Sequence, residues 1–221
     1  EKENIRQDAK LNDNERRDRM KQLVGKYRAR AKELGRARTV PFDRSMYDHA
    51  VATLRLETDL RRAVERSEFC NHYQPIVELT SRKIVGFEAL VRWQHPQKGL
   101  LLPGEFISLA EETGIILPLG DAVLEHACRQ LQHLHAETAA TQITMNVNLS
   151  ALQLTRTDLA ATLENLLSTY ELPASRLNME ITESVLMEYT GAVQETLDKI
   201  TAMSVGVCMD DFGTGYSSLS N

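Results

Sequence analysis

The stretch IVGFEALVRW, residues 84–93, decides how the rest of the chain is read. Ile84, Val85, Phe87, Ala89, Leu90, Val91 and Trp93 are apolar, the density expected of a strand buried in a core. Glu88 nevertheless sits in its middle, and a buried carboxylate without a partner is costly. Residues 88, 90 and 92 share one face of a strand. Arg92 is therefore one candidate partner for Glu88, and a metal ion is another.

Upstream, FCNHYQPIVEL (69–79) reads as a strand and TSRK (80–83) as a turn. Downstream, HPQKGLLLPGE (95–105) reads as a loop, and FISLAEETG (106–114) and DAVLEHACRQLQHLH (121–135) read as helices. QITMNVNLS (142–150), LNMEITES (177–184) and VGVCMDDFG (205–213) read as strands. TDLAATLENLLSTY (157–170) and AVQETLDKITAM (192–203) are the helices between them. From residue 84 strands and helices alternate, the pattern of a parallel α/β sheet with right-handed crossovers. The pattern does not choose between a barrel and an open sheet. Ahead of it, Val51, Leu54, Leu60 and Val64 mark a helix over 46–66. Met20, Val24, Tyr27, Ala31 and Leu34 mark another over 14–34, about two heptads long and short of a coiled coil.

The chain has 221 residues, 42% hydrophobic content and a formal net charge of −5, enough for one domain with a real core and an attachment. No apolar run reaches membrane-spanning length, and no signal peptide opens the chain, so a cytoplasmic protein is expected. Tethering through other domains stays compatible with this. Cys70, Cys128 and Cys208 read as reduced core thiols. Residues 1–38 hold 13 Lys/Arg and 7 Asp/Glu, whereas the remainder holds 13 and 24. The basic segment mixes signs and lacks interleaved aromatics, so it reads as a solvated linker helix rather than a surface for a nucleic-acid polymer. The acidic remainder can take an anionic substrate only with cations in between.

Oxygen-bearing side chains recur at or near the C-terminal ends of four successive strands: Glu88, Asn148, Glu180 with Glu183, and Asp210 with Asp211. In a parallel α/β fold those ends point to one face, where active sites are built. Each residue has a plainer reading. Asn148 or Ser150 could cap the next helix, and Glu183 could sit in a helix first turn. Asp-Phe-Gly matches the kinase magnesium motif, but its companion kinase motifs are missing. The recurrence on every strand favours convergence. Carboxylates and an amide oxygen without His or Cys make a hard-cation site for Mg²⁺ or Mn²⁺, suited to phosphate chemistry. Asp210 and Asp211 could serve one metal each in a two-metal clamp.

YQPIV, GFEALVRWQHP, the FISLAEETG helix, NVNLS, MEITES and DDFGTGYSSL together resemble the EAL domain, the bacterial cyclic di-GMP phosphodiesterase family, from about residue 56 to the end. The resemblance implies a TIM-like barrel whose first strand runs antiparallel to the others. It implies metal ligation by Glu88, Asn148, Glu180, Asp210 and Asp211, with Glu88, Asp210 and Asp211 catalytic. It implies two metals, Mg²⁺ or Mn²⁺, in the intact domain. Gln74, Leu90 and Arg92 match substrate-contacting positions, the arginine facing a phosphate. Glu183, Phe212, Gly213, Thr214 and Gly215 match the region that couples metal binding to dimerisation, so a homodimer is implied.

Leu152 stands where many members carry arginine. The family's later lysine, glutamate and glutamine-glycine segment have no counterpart before Asn221. With Glu1 at the start and GYSSLSN at the end, both termini read as cut. About five of eight strands are expected, and the chain alone is expected to fold poorly and not to turn over. Residues 1–55 read as a helical linker, and YRARAKELGRARTVPFDRSMY resembles the close of a GGDEF domain. Residues 56–221 read as the EAL domain. The implied activity is hydrolysis of cyclic di-GMP to linear pGpG under an upstream sensor or GGDEF domain. The alternative is a non-catalytic cyclic di-GMP receptor.

Overall fold

A computed structural model describes residues 44–137, 142–156, 158–182 and 191–210. The chain divides into two units, Glu1–Leu56 and Glu57–Asn221. The expected helix over 14–34 and the GGDEF-like segment up to residue 43 lie outside the described residues. Helix α1 spans Arg44–Glu65. Its last turns bury Leu60 and Ala63, and it ends where Ser67 takes a left-handed φ of 54°.

Strands β1 (Phe69–Val77) and β2 (Ile84–His95) form an antiparallel hairpin with Phe69 opposite Trp93 and Gln74 opposite Glu88. Glu78 donates its N–H to Lys83 O at 2.9 Å across the turn, and Arg82 adopts a φ of 57° within it. The expected loop 95–105 is corrected in part. Gly99–Leu101 forms a short strand, β3, antiparallel to β2. The buried His95 ring organises the connection, its Nδ1 accepting the N–H groups of Gln97 (3.1 Å) and Lys98 (3.3 Å). Gly99 then takes the positive φ of 75° that turns the chain back.

Helix α2 (Ile107–Thr113) stops at Gly114, whose φ of 74° makes a left-handed cap. Helix α3 runs Ile116–Glu137, five residues earlier than its sequence pattern suggests. Pro118 and Gly120 look like breakers, but a proline in a helix's first turn forfeits no internal hydrogen bond. A Cβ on Gly120 would clash with the Gln153 side chain, so the glycine lets that residue pack closely. There follow β4 (Thr144–Asn148), α4 (Ala151–Leu154), α5 (Leu159–Thr169), β5 (Leu177–Thr182), α6 (Gly191–Ala202) and β6 (Gly206–Asp210). Helix α4 is started by Ser150, whose hydroxyl accepts the Gln153 N–H at 3.3 Å while Gln153 Oε1 accepts from Ser150 N at 3.1 Å.

The strand order is β1-β2-β4-β5-β6, with β3 on the side of β2. β2, β4, β5 and β6 are mutually parallel, whereas β1 is antiparallel to β2. Helix α3 lies on one face of this sheet. Asn71 Nδ2 donates to Val123 O at 3.0 Å, and Tyr73 donates its hydroxyl to His126 O at 3.1 Å. The same face carries Trp93, Met145, Val147, Leu177 and Met179, all fully buried. At one end of it Phe69, Trp93 and Phe106 pack with ring centroids 5.6–5.7 Å apart, Trp93 and Phe106 edge to face. Trp93 Nε1 donates to Glu68 Oε2 at 3.1 Å, so the indole is buried with its polar atom satisfied.

The reading of all three cysteines as core thiols is corrected. Only Cys128, in α3, is buried, and burial pushes its thiol up to about 12. Cys70 is half-buried and Cys208 exposed, because odd and even strand positions face opposite ways and both lie on the helix-free side.

Candidate active site

The second face of the sheet is polar. Alternation from Trp93 puts Glu88, Leu90 and Arg92 on it. Register then extends it to Gln74 opposite Glu88, to Asn146 beside Glu88, and to Glu180 beside Asn148. Cys208 lies beside Glu180 and Asp210 beside Thr182, which carries the same face onto β6. The four oxygen-bearing residues thus climb obliquely across four parallel strands: Glu88 one pleat below Asn148, Glu180 level with it, and Asp210 one pleat higher.

Some of these side chains are tied by amides. Asn148 Nδ2 donates to Glu88 Oε1 at 2.9 Å, and Asn146 Nδ2 donates to Glu180 Oε1 at 2.7 Å. Asn178 Nδ2 donates in turn to Asn146 Oδ1 at 2.8 Å. Burial pushes the Glu180 carboxyl above its ordinary range; the Asn146 hydrogen bond opposes this, and the charges of Glu88 and Asp210 add to the rise. Glu180 on β5 therefore feels carboxylates from both β2 and β6. Arg92 turns its Nη1 to Val91 O at 2.8 Å, so Glu88 has Asn148 rather than Arg92 as its hydrogen-bond partner.

Gln74, on the outer strand β1, is exposed, and Leu90 and Arg92 are half-buried beside it on the same face. Glu183, Asp211, Phe212, Gly213, Thr214 and Gly215 lie outside the described residues. Among the described residues, no three Asp, Glu, His or Cys side chains alone are grouped closely enough to hold an ion. Beside the carboxylates, Asn148 offers an amide oxygen, a donor of the kind a hard cation takes. Burial first, and the charges of Glu88 and Asp210 after it, raise Glu180, and a cation would relieve the charge part. Asn146 and Asn178 escaped the sequence reading. Their signal was present: each lies two residues before a candidate, hence on the same face, and each interrupts an apolar strand.

Four parallel strands with one face under helices and an acid-amide face opposite are the build of an α/β domain of the barrel class, with that polar face as its candidate site. The chain belongs to the EAL family: the EAL domain model matches residues 57–221. It is 44% identical over 189 residues to the bifunctional diguanylate cyclase/cyclic di-GMP phosphodiesterase MucR of Pseudomonas aeruginosa, covering 86% of this chain and 27% of MucR. The fold matches that of the MucR phosphodiesterase in its c-di-GMP complex with a TM-score of 0.69 at 44% identity, over 74% of this chain and 66% of that one. It also matches the EAL enzyme Bd1971 in its cAMP- and cyclic-di-GMP-bound form, with a TM-score of 0.72 at 29% identity, over 90% of this chain and 52% of that one. The chain spans about a quarter of the length of MucR and of other curated relatives it matches. Among the described residues no helix is long and apolar enough to cross a membrane.

Proposed function

We propose that the full-length protein hydrolyses cyclic di-GMP to linear pGpG on the acid-amide face of this domain, with Mg²⁺ or Mn²⁺. The observation that carries the reading is that Glu88, Asn148, Glu180 and Asp210 share one face of the sheet, with Asn148 hydrogen-bonded to Glu88 and with Glu180 within reach of the charges of Glu88 and Asp210. The similarity to MucR, whose phosphodiesterase was solved with c-di-GMP, supports it.

Glu88, Asn148, Glu180 and Asp210 would hold the metal, joined by Asp211. A divalent cation bound there supplies Lewis acidity toward a phosphoryl oxygen and acidifies water. The chain's own residues do the rest. Arg92, two residues beyond Leu90 on the same face, offers a guanidinium for a phosphate. Gln74, in register with Glu88, offers an amide beside it, and Leu90 offers an apolar surface for a base. The carboxylates accept the proton of the attacking water. A new O–P bond forms as the P–O3′ bond breaks, and the leaving 3′ oxygen takes up the proton the carboxylates received, so that a 5′-phosphate and a 3′-hydroxyl remain. Homodimerisation through the Glu183 and 212–215 region, control by an upstream sensor or GGDEF domain, and a cytoplasmic location belong to the same proposal.

The test is release of pGpG by the full-length protein with Mn²⁺ or Mg²⁺. Excess chelator is expected to abolish it. Glu88→Ala is expected to cost more than the roughly 10–100-fold that loss of an outer-shell partner costs. Full activity in chelator overturns the metal reading, and tight binding of cyclic di-GMP without turnover turns the enzyme into a receptor.

A further inference from the structure

We infer that Asn146 and Asn178 are positioning residues for Glu180, an amide relay that fixes how its carboxylate is presented to a divalent cation; this rests on the metal reading proposed above. Asparagine is a poor strand residue, and nothing in packing asks for it at these two places. Both side chains are half-buried on the polar face of neighbouring parallel strands, with Asn146 and Asn178 in register.

An asparagine amide has two ends of similar size and opposite hydrogen-bonding sense. Alone, Asn146 could rotate and set its oxygen against the Glu180 carboxylate, acceptor against acceptor. The 2.8 Å bond donated by Asn178 engages Asn146 Oδ1 and so turns Nδ2 toward Glu180 Oε1, 2.7 Å away. Both bonds are made in that orientation only. Gly206 on β6 provides the room: a Cβ there would clash with Asn178 Oδ1. Gly206, Asn178, Asn146 and Glu180 thus form one chain of contacts across three strands. The donor at its end is neutral. It holds one carboxylate oxygen in place without cancelling the charge, as a lysine or arginine would, and the charge is left for a cation. Outer-shell groups act on metal ligands in this way.

The test uses Mn²⁺ alone, titrated calorimetrically into the full-length protein and into its Asn146→Leu, Asn178→Ala and Gly206→Ala variants. Urea unfolding of each is measured alongside. Asn146→Leu is expected to weaken Mn²⁺ binding about 10-fold. Asn178→Ala and Gly206→Ala should weaken it less, since they loosen the amide without removing it. In all three the loss of affinity should exceed anything the unfolding midpoint accounts for. At saturating Mn²⁺, most of kcat should return. A merely structural role would move the midpoint and leave the affinity of the folded protein alone. Mn²⁺ binding that Glu180→Ala abolishes but that none of the three variants changes overturns the relay and leaves the metal reading standing. No binding by the wild-type protein overturns both. If Asn146→Leu does not fold, Asn178→Ala and Gly206→Ala decide by the same criteria.

Discussion

The two faces of strands β2, β4, β5 and β6 are one residue apart in sequence and opposite in chemistry. Toward the helices the strands present Trp93, Met145, Val147, Met179 and Ile181, all buried. Away from them they present Glu88, Asn146, Asn148, Glu180 and Asp210, half-buried or exposed and tied by amides. The first face gains free energy by leaving water. The second spends some, because its carboxylates are partly desolvated and repel. Stability and function are therefore separable along the same strands, and substitutions on alternate residues should show it.

The largest effect is expected on the apolar face. Trp93→Ala removes the centre of the Phe69–Trp93–Phe106 cluster and the indole donor to Glu68. It should lower the free energy of urea unfolding by about 3–5 kcal/mol. A loss below about 0.5 kcal/mol, the scale of an ordinary surface change, would break the division between the faces. Next comes Ser150→Ala. It removes the hydroxyl that starts α4 directly after β4 and should cost about 1 kcal/mol in the same measurement.

The smallest effect is the most diagnostic in sign. The folded-state pKa of Glu180 lies above its unfolded value of 4.5, so the folded protein holds this proton more tightly than the unfolded chain. Its contribution to stability is complete below about pH 4.5 and is lost as pH rises through the folded pKa. Glu180→Gln removes that slope. Without metal, the variant should be at least as stable as wild type above this window; with metal, its hydrolysis should fall sharply. Destabilisation by Glu180→Gln at neutral pH would mean that the polar face contributes to stability after all.

Alternation made much of this legible in the sequence. Period two in IVGFEALVRW gave a strand with Glu88 and Arg92 on one face, and the strand–helix alternation after it gave the parallel sheet. It could not show β3, whose three residues are too short for a period, or the early start of α3, where Pro118 and Gly120 look like breakers until the first-turn position and the Gln153 contact are seen. Cys208 looked like core because its strand is apolar, but it faces the carboxylates. The Asn178–Asn146–Glu180 chain depends on register between strands that are far apart in sequence, which no single strand's pattern encodes.

The central claim is that Glu88, Asn148, Glu180 and Asp210 form one cation site. Anomalous diffraction from crystals of the full-length protein grown with Mn²⁺ tests it most directly. A manganese peak is expected on the polar face, within about 2.5 Å of oxygens from Glu88, Glu180 and Asp210 and of Asn148 Oδ1. Manganese bound elsewhere, with the Asn148–Glu88 and Asn146–Glu180 hydrogen bonds intact and no ion between them, would contradict it.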